Sequence, residues 1–131
     1  VLQPFIHFLF PGIPKEHEVM NYIGINFAAN MFGVSGAATP SGLKAMELLK
    51  EYDVERKKKR GETYMAQACD EMCTFLVINV SSLQLIPINL IAYRGQYGSV
   101  FPAAVTGPAL LATLFSTCAA VIYCKIKCKN K

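Results

Sequence analysis

Charged side chains are scarce in this sequence. They make up 17% of its 131 residues and hydrophobic residues make up 53%, whereas a soluble domain usually has about 25% charged residues. Three windows, 19–43, 72–93 and 95–124, contain no Asp, Glu, Lys or Arg, and each exceeds the roughly 20 residues that a membrane helix needs. The shortage predicts an all-α, integral membrane protein. The alternative is a soluble helical domain with an unusually apolar core. This alternative stays open because the first two windows contain polar residues.

Groups that carry catalysis or bind metals are also few. Only two histidines occur, and neither is near a cysteine in sequence. Four of the five cysteines form pairs spaced four apart, starting at Cys69 and at Cys124, but a structural zinc site normally needs four N or S ligands. We therefore expect free thiols, with no metal and no cofactor. No nucleophile-elbow, zinc-protease, P-loop or dinucleotide motif occurs, so the sequence predicts a protein that is not an enzyme.

The sequence has no signal peptide and starts at Val1 instead of a methionine. Its first ten residues look like the tail of a preceding helix, so we expect a fragment that lacks upstream membrane helices. Val1–Phe10 is expected to lie at the membrane surface or to end an upstream span. The whole of 1–131 is predicted to be a single membrane domain, in which residues 44–71 form a cytoplasmic helical and basic loop.

Basic residues occur in two runs, RKKKR at Arg56–Arg60 and lysines at every second position from Lys125 to Lys131. Basic flanks of membrane helices favour the cytoplasmic side. If the three windows, the last taken as 107–124, each cross once, both runs are cytoplasmic and the N-terminus is outside. No aromatic residues interleave with RKKKR, so we expect a solvated or lipid-headgroup-facing loop and no nucleic-acid partner.

The first window does not read as one continuous helix. Asn26 and Asn30 are four apart and share one helix face, and two glycines then loosen the helix. Thr39-Pro40 predicts a restart, because Thr is a good N-cap and Pro is favoured at the first helical position. We therefore predict two half-helices that meet near residues 35–39.

The second window repeats this plan. Asn79 is followed by a cluster of hydroxyl and amide side chains and then by Pro87, which cannot donate to the carbonyl of Leu83. A helix over residues 62–71 is expected to lead into this window. In the last window, the small residues Ala112, Ser116 and Ala120 predict a helix-packing face.

Two interpretations of these interrupted helices are open. Opposed, broken helices with polar residues at mid-depth form the substrate sites of many transporters. Polar side chains within membrane helices also hold neighbouring helices together. The two alternatives make different predictions: the side chains of Asn30, Thr39 and Asn79 either converge on a cavity or bond to each other.

Three segments carry a resemblance to a known family: LFPGIPKEH at 9–17, NFAANMFGVSGAATPSGLKAMELL at 26–49 and FLVINVSSLQLIPINLIAYR at 75–94. They resemble the spore maturation protein A family, within the nucleoside recognition, or gate-domain, group of membrane proteins. The resemblance implies a multi-pass protein of the cell inner membrane of endospore formers, needed for spore core dehydration. It also implies a companion, spore maturation protein B, that carries a related gate domain.

The resemblance also implies a set of substrate-binding residues. The matching polar positions are Asn26, Asn30, Thr39, Lys44, Asn79, Ser81, Ser82 and Arg94. Together with the broken helices, they predict a transport- or channel-type component for a small polar solute, such as a nucleoside, or for an ion. The alternative is a scaffold in the membrane lipid that packs against the companion and binds no solute.

Overall fold

The computed structural model describes residues 2–63, 67–81 and 84–129. Every regular element in these ranges is helical, which confirms the all-α prediction. The elements are α1 (Gln3–Leu9), α2 (Glu18–Met31), α3 (Ser35–Lys59), α4 (Asp70–Val80), α5 (Ile88–Gln96), a 3₁₀ turn (Pro102–Val105) and α6 (Thr106–Lys129).

Helix α2 ends in a tight glycine-dependent turn. The N–H of Gly33 donates to the carbonyl of Asn30 at 3.0 Å, and the N–H of Val34 donates to the carbonyl of Ala29 at 2.8 Å. This pair of bonds is the Schellman motif, which requires a left-handed residue just after the helix. Gly33 supplies it, with a φ of 68°. The chain can therefore start a new helix only two residues later.

Helix α3 packs back along α2, so the two form an antiparallel hairpin. Ala45 and Leu49 of α3 are fully buried in the same core as Val19 and Ile23 of α2. The chain thus reverses at 32–34, and the first window does not continue in one direction as a single crossing would require. The prediction of an interrupted helix is right, but its proposed position near 35–39 is wrong.

The predicted restart at Thr39-Pro40 is also wrong, because both residues lie inside α3, which begins at Ser35. Pro40 is the sixth residue of the helix. Because this proline has no N–H, α3 lacks the hydrogen bond to the carbonyl of Gly36 in its first turns, and the helix continues past it for nineteen residues. A proline this close to the helix start therefore does not mark its first residue.

Helix α1 belongs to the core of the molecule. Ile6 and Phe10 are about 1% exposed and pack with residues of α2, α3 and α4. The rings of Phe27 and Phe75 stack in the same core, with centroids 6.2 Å apart. The expectation that Val1–Phe10 lies at a membrane surface or ends an upstream span stays a prediction, and Val1 itself lies outside the described residues.

The second window is broken, as predicted. Helix α4 ends at Val80, and α5 begins at Ile88, directly after Pro87. The expected helix over 62–71 is not formed: residues 62, 63 and 67–69 are non-helical, and α4 begins only at Asp70. Asp70 and Glu71 occupy the first turn of α4, where negative charge is favoured by the helix dipole.

Helix α6, with the 3₁₀ turn before it, is the one described helix of a length and apolarity that suit a bilayer. This stretch covers Pro102–Lys127, and only 11% of its apolar window is buried. The packing face of α6 differs from the predicted one. Ala120 is buried, but Ala112 and Ser116 are exposed, because Thr113, Thr117 and Cys124 share the inward side with Ala120.

Candidate functional site

The two helix interruptions meet each other. The backbone N–H of Leu85, in the second break, donates to the carbonyl of Met31 at the end of α2, at 2.8 Å. A Cβ atom at Gly33 would lie 2.9 Å from the carbonyl oxygen of Ile86, closer than real Cβ contacts come. The absence of a side chain at Gly33 is therefore what permits this approach. We call the contact between residues 31–34 and 84–87 the break junction.

A line of amide side chains runs beside the break junction. Asn30 Nδ2 donates to Asn79 Oδ1 at 2.7 Å and is 3.3 Å from Asn26 Oδ1. Asn26 is buried and donates in turn to the carbonyl of Ala38 at 2.7 Å. Gly42 leaves room for this, because a Cβ there would lie 2.9 Å from Asn26 Nδ2. These hydrogen bonds link α2, α3 and α4.

Two threonines of α6 face the second break. Thr117 Oγ1 donates to the carbonyl of Ser81 at 2.8 Å. Thr113 Oγ1 donates to the carbonyl of Ala109 at 2.9 Å and accepts from the N–H of Gln84 at 3.3 Å. Backbone groups exposed by a broken helix need such partners wherever water is absent. The sequence reasoning missed both residues, although two hydroxyls four apart in an otherwise apolar helix are a usable signal.

A cavity of about 220 Å³ opens beside the amide line. Its lining comes from four helices: Leu2, Phe5, Phe27, Asn30, Met31, Ile78 and Thr117. Asn30 and Thr117 are the polar members of this set, and the remaining lining is hydrophobic. Asn30 therefore both bonds to Asn79 and borders a space large enough for a few water-sized molecules. The arrangement has features of both alternatives, a solute site at a cavity and polar side chains that hold helices together.

A comparison with characterised proteins identifies the chain's relatives. It is 44% identical over 120 residues to spore maturation protein A of Bacillus subtilis (strain 168), and the match covers 92% of the chain. The chain is a homologue of spore maturation protein A. This confirms the resemblance deduced from the three sequence segments and supports a role connected with sporulation.

The chain spans 57% of the length of this spore maturation protein A. No protein-family model matches the chain, and no solved structure matches it. The assignment to the nucleoside recognition group therefore stays a prediction, as does everything that group implies about substrates.

The predicted site residues of this homologue separate into two groups. The amide line beside the break junction brings together Asn26, Asn30 and Asn79. Ser81 follows the end of α4, where its hydroxyl donates to the carbonyl of Ile78 at 3.0 Å. Ser82 lies outside the described residues, as does Leu83, whose carbonyl Pro87 was expected to leave without a partner.

That second group consists of Thr39, Lys44 and Arg94. Thr39 is exposed on α3, and Lys44 forms an exposed salt bridge of 2.8 Å with Glu47. Arg94 lies on α5 and donates to Ser99 Oγ at 3.2 Å. Neither the Lys44 salt bridge nor the Arg94 hydrogen bond involves the amide line.

A charged cluster that sequence reasoning also missed ties α3 to α4. Arg56 makes two bonds to the carboxylate of Glu71, at 2.6 and 3.2 Å, and one of 3.0 Å to Asp53. Lys57 lies 2.8 Å from the other oxygen of Asp53. We call Asp53, Arg56, Lys57 and Glu71 the ion cluster. Two residues of the basic run are therefore neutralised inside the molecule instead of being free in a loop.

The ion cluster sets the ionisation of its carboxylates. Burial alone would raise the pKa of Glu71, but the hydrogen bonds from Arg56 outweigh it and hold that pKa below its ordinary value. The pKa of Asp53 is likewise lowered: burial opposes ionisation, and the bonds from Lys57 and Arg56 prevail. Next to Glu71, burial raises the pKa of the Cys69 thiol to about 11, so this thiol is protonated at neutral pH.

Proposed function

We propose that this chain is part of a membrane protein of spore maturation in which the break junction controls the passage of a small polar solute or ion. The observation that carries the proposal is the meeting of two interrupted helices at their breaks. Broken helices that face each other leave backbone and amide groups able to bind a solute, and many transporters build their sites in this way. The apolarity of α6 and of the charge-free windows supports a location in the membrane.

In this proposal the described arrangement is the closed one. The bond between Asn30 and Asn79 occupies amide groups that a passing solute would otherwise bind. Each amide both donates and accepts, so a polar solute can replace the partner amide without leaving either group unsatisfied. The cavity lined by Asn30 and Thr117 gives such a solute space next to the bond between Asn30 and Asn79.

The test is flux into proteoliposomes that contain the intact protein and its proposed companion, spore maturation protein B. Radiolabelled uridine and potassium ions serve as the neutral and the ionic probe. We expect Asn30→Ala and Asn79→Ala to change the flux of one probe. Asn21→Ala and Asn89→Ala are the matched controls, because they remove exposed amides from α2 and α5. If all four variants behave like the parent protein, the junction is not a solute pathway.

The second candidate function is a scaffold that packs against the companion. The observation that favours it is the mutual bonding of Asn26, Asn30 and Asn79, since interhelical amide bonds stabilise membrane bundles without any solute. Under this function, Asn30→Ala and Asn79→Ala weaken co-purification with the companion, and neither probe crosses the bilayer in the parent protein.

A further inference from the structure

Both basic runs of the sequence lie at one end of the molecule. Arg56, near the end of α3, bonds to Glu71 at the start of α4. Glu71 and Lys125 in turn line a common cavity of about 220 Å³ between α4 and the end of α6. The last turns of α3 and α6 therefore share one end of the helix bundle, which we call the basic end.

Only some of these cations are neutralised. Asp53 and Glu71 bind Arg56 and Lys57, so these four charges cancel. The next three residues of the run, Lys58–Arg60, are exposed and make no ion pair within the described part of the chain. Lys127 on the last turns of α6 is exposed as well.

The free cations border a surface groove. The groove measures about 190 Å³ and is lined by Tyr52, Glu55, Arg56, Lys59 and Arg60. Arg56 is fixed above the ring of Tyr52, with its guanidinium carbon 5.7 Å from the ring centre. The groove thus presents Lys59 and Arg60 beside a rigid floor, and Glu55 is its one acidic member.

We infer that the basic end is a docking surface for the headgroups of anionic phospholipids. This rests on the membrane location in the proposed function. Helix α6 ends among these cations, so a bilayer crossed by α6 brings its headgroups to Lys58–Arg60 and Lys127. Cations just beyond the end of an apolar helix attract anionic lipids by about 1 kcal/mol each. A nucleic acid fits less well, because the guanidinium of Arg56 lies over the ring of Tyr52, the one aromatic residue that lines the groove, where a base would stack.

The test measures binding of short-chain phosphatidylglycerol to the intact protein in a neutral detergent, against phosphatidylcholine of the same chain length. The parent protein should prefer phosphatidylglycerol, and added salt should weaken that preference. Lys59→Gln should raise the Kd for phosphatidylglycerol about fivefold, and Lys59→Arg should restore it. Lys50→Gln, which removes an exposed lysine from the same helix, should leave the Kd unchanged.

Four outcomes would overturn the inference. They are equal Kd values for the two lipids, equal effects of Lys50→Gln and Lys59→Gln, full displacement of the lipid by inorganic phosphate, and tighter binding of a single-stranded oligonucleotide at the same salt. Alkaline carbonate extraction of membranes separates the two proposals. A protein that resists extraction but shows no lipid preference contradicts only this inference, whereas a protein that is extracted contradicts the membrane location itself.

Discussion

At the scale of single residues, the amide pair Asn30 and Asn79 decides how the break junction is held. The pair joins α2 to α4 through a 2.7 Å bond, and Asn30 is also within reach of Asn26. The sequence showed that these asparagines lie on helix faces near breaks. It could not show that they bond to each other, because the relative position of α2 and α4 depends on packing around Phe27 and Phe75.

A double-mutant cycle on Asn30→Ala and Asn79→Ala should reveal a favourable coupling. We expect about 0.6 kcal/mol, the average measured for hydrogen bonds between membrane helices. The measurement is the free energy of unfolding of the detergent-solubilised protein. The pair Asn21→Ala and Asn89→Ala provides a control in which the two effects should add. A coupling of zero between Asn30 and Asn79 would contradict the bond.

At the scale of elements, the turn between α2 and α3 shows where local sequence rules succeed and where they fail. Thr39-Pro40 has the composition of a helix start, but Gly33 ends α2 earlier and α3 begins at once. Glycine and proline therefore correctly predicted that the helix is interrupted. The break lies at Gly33 and not at Thr39-Pro40, because the glycine comes first along the chain. The approach of Gly33 to Ile86 has no signal in the local sequence.

Gly33→Ala should lower the stability of the protein by more than the cost of placing an alanine at a positive φ. A non-glycine residue in the left-handed region costs roughly 1–2 kcal/mol, and the new Cβ would also push Ile86 and open the break junction. Gly61→Ala isolates the first effect, because Gly61 has a φ of 70° and open space around it. Gly36→Ala controls for both, since Gly36 is helical and unobstructed. Thermal unfolding of the three variants provides the comparison, and equal losses for Gly33 and Gly61 would show that the contact with Ile86 is unimportant.

At the scale of the whole molecule, charge is distributed unevenly between the two ends. The ion cluster, Lys58–Arg60 and Lys127 occupy one end, whereas the break junction and the first turns of α6 lie away from it. The sequence indicated that both basic runs lie on one side. It did not indicate that Asp53 and Glu71 neutralise part of the first run, because Glu71 is separated from Arg56 by a connection with no recognisable motif.

Acid should weaken the salt bridges of the ion cluster, which connect α3 to α4. The pKa values of Asp53 and Glu71 are lower in the folded protein than in the unfolded chain, so the unfolded chain binds protons first. Their contribution to stability is therefore complete above the ordinary carboxyl pKa of about 4, and it is lost as the pH falls through the lowered values. The free energy of unfolding, measured as a function of pH, gives the size of this loss.

Arg56→Gln should abolish the part of that acid loss that comes from Glu71, because burial then raises the pKa of Glu71 with no cation to oppose it. A carboxyl whose pKa is higher in the folded protein than in the unfolded chain gains stability as the pH falls. The loss of its charged hydrogen bonds should also cost about 2 kcal/mol at neutral pH. Lys50→Gln removes the same charge from the same helix outside the ion cluster and should alter neither quantity. An unchanged acid transition in Arg56→Gln would mean that the cluster does not hold α3 to α4.

The hydrogen bond between Asn30 and Asn79 also has a consequence for the order of folding. It joins positions 49 residues apart, whereas the bond from Asn26 to Ala38 spans only 12. The entropy of loop closure grows with the logarithm of loop length, so closing the longer loop costs roughly 1.2 kcal/mol more. The α2–α3 hairpin should therefore form early, through local contacts, and the break junction should assemble late. The part of the molecule proposed to open should therefore assemble after the hairpin beside it.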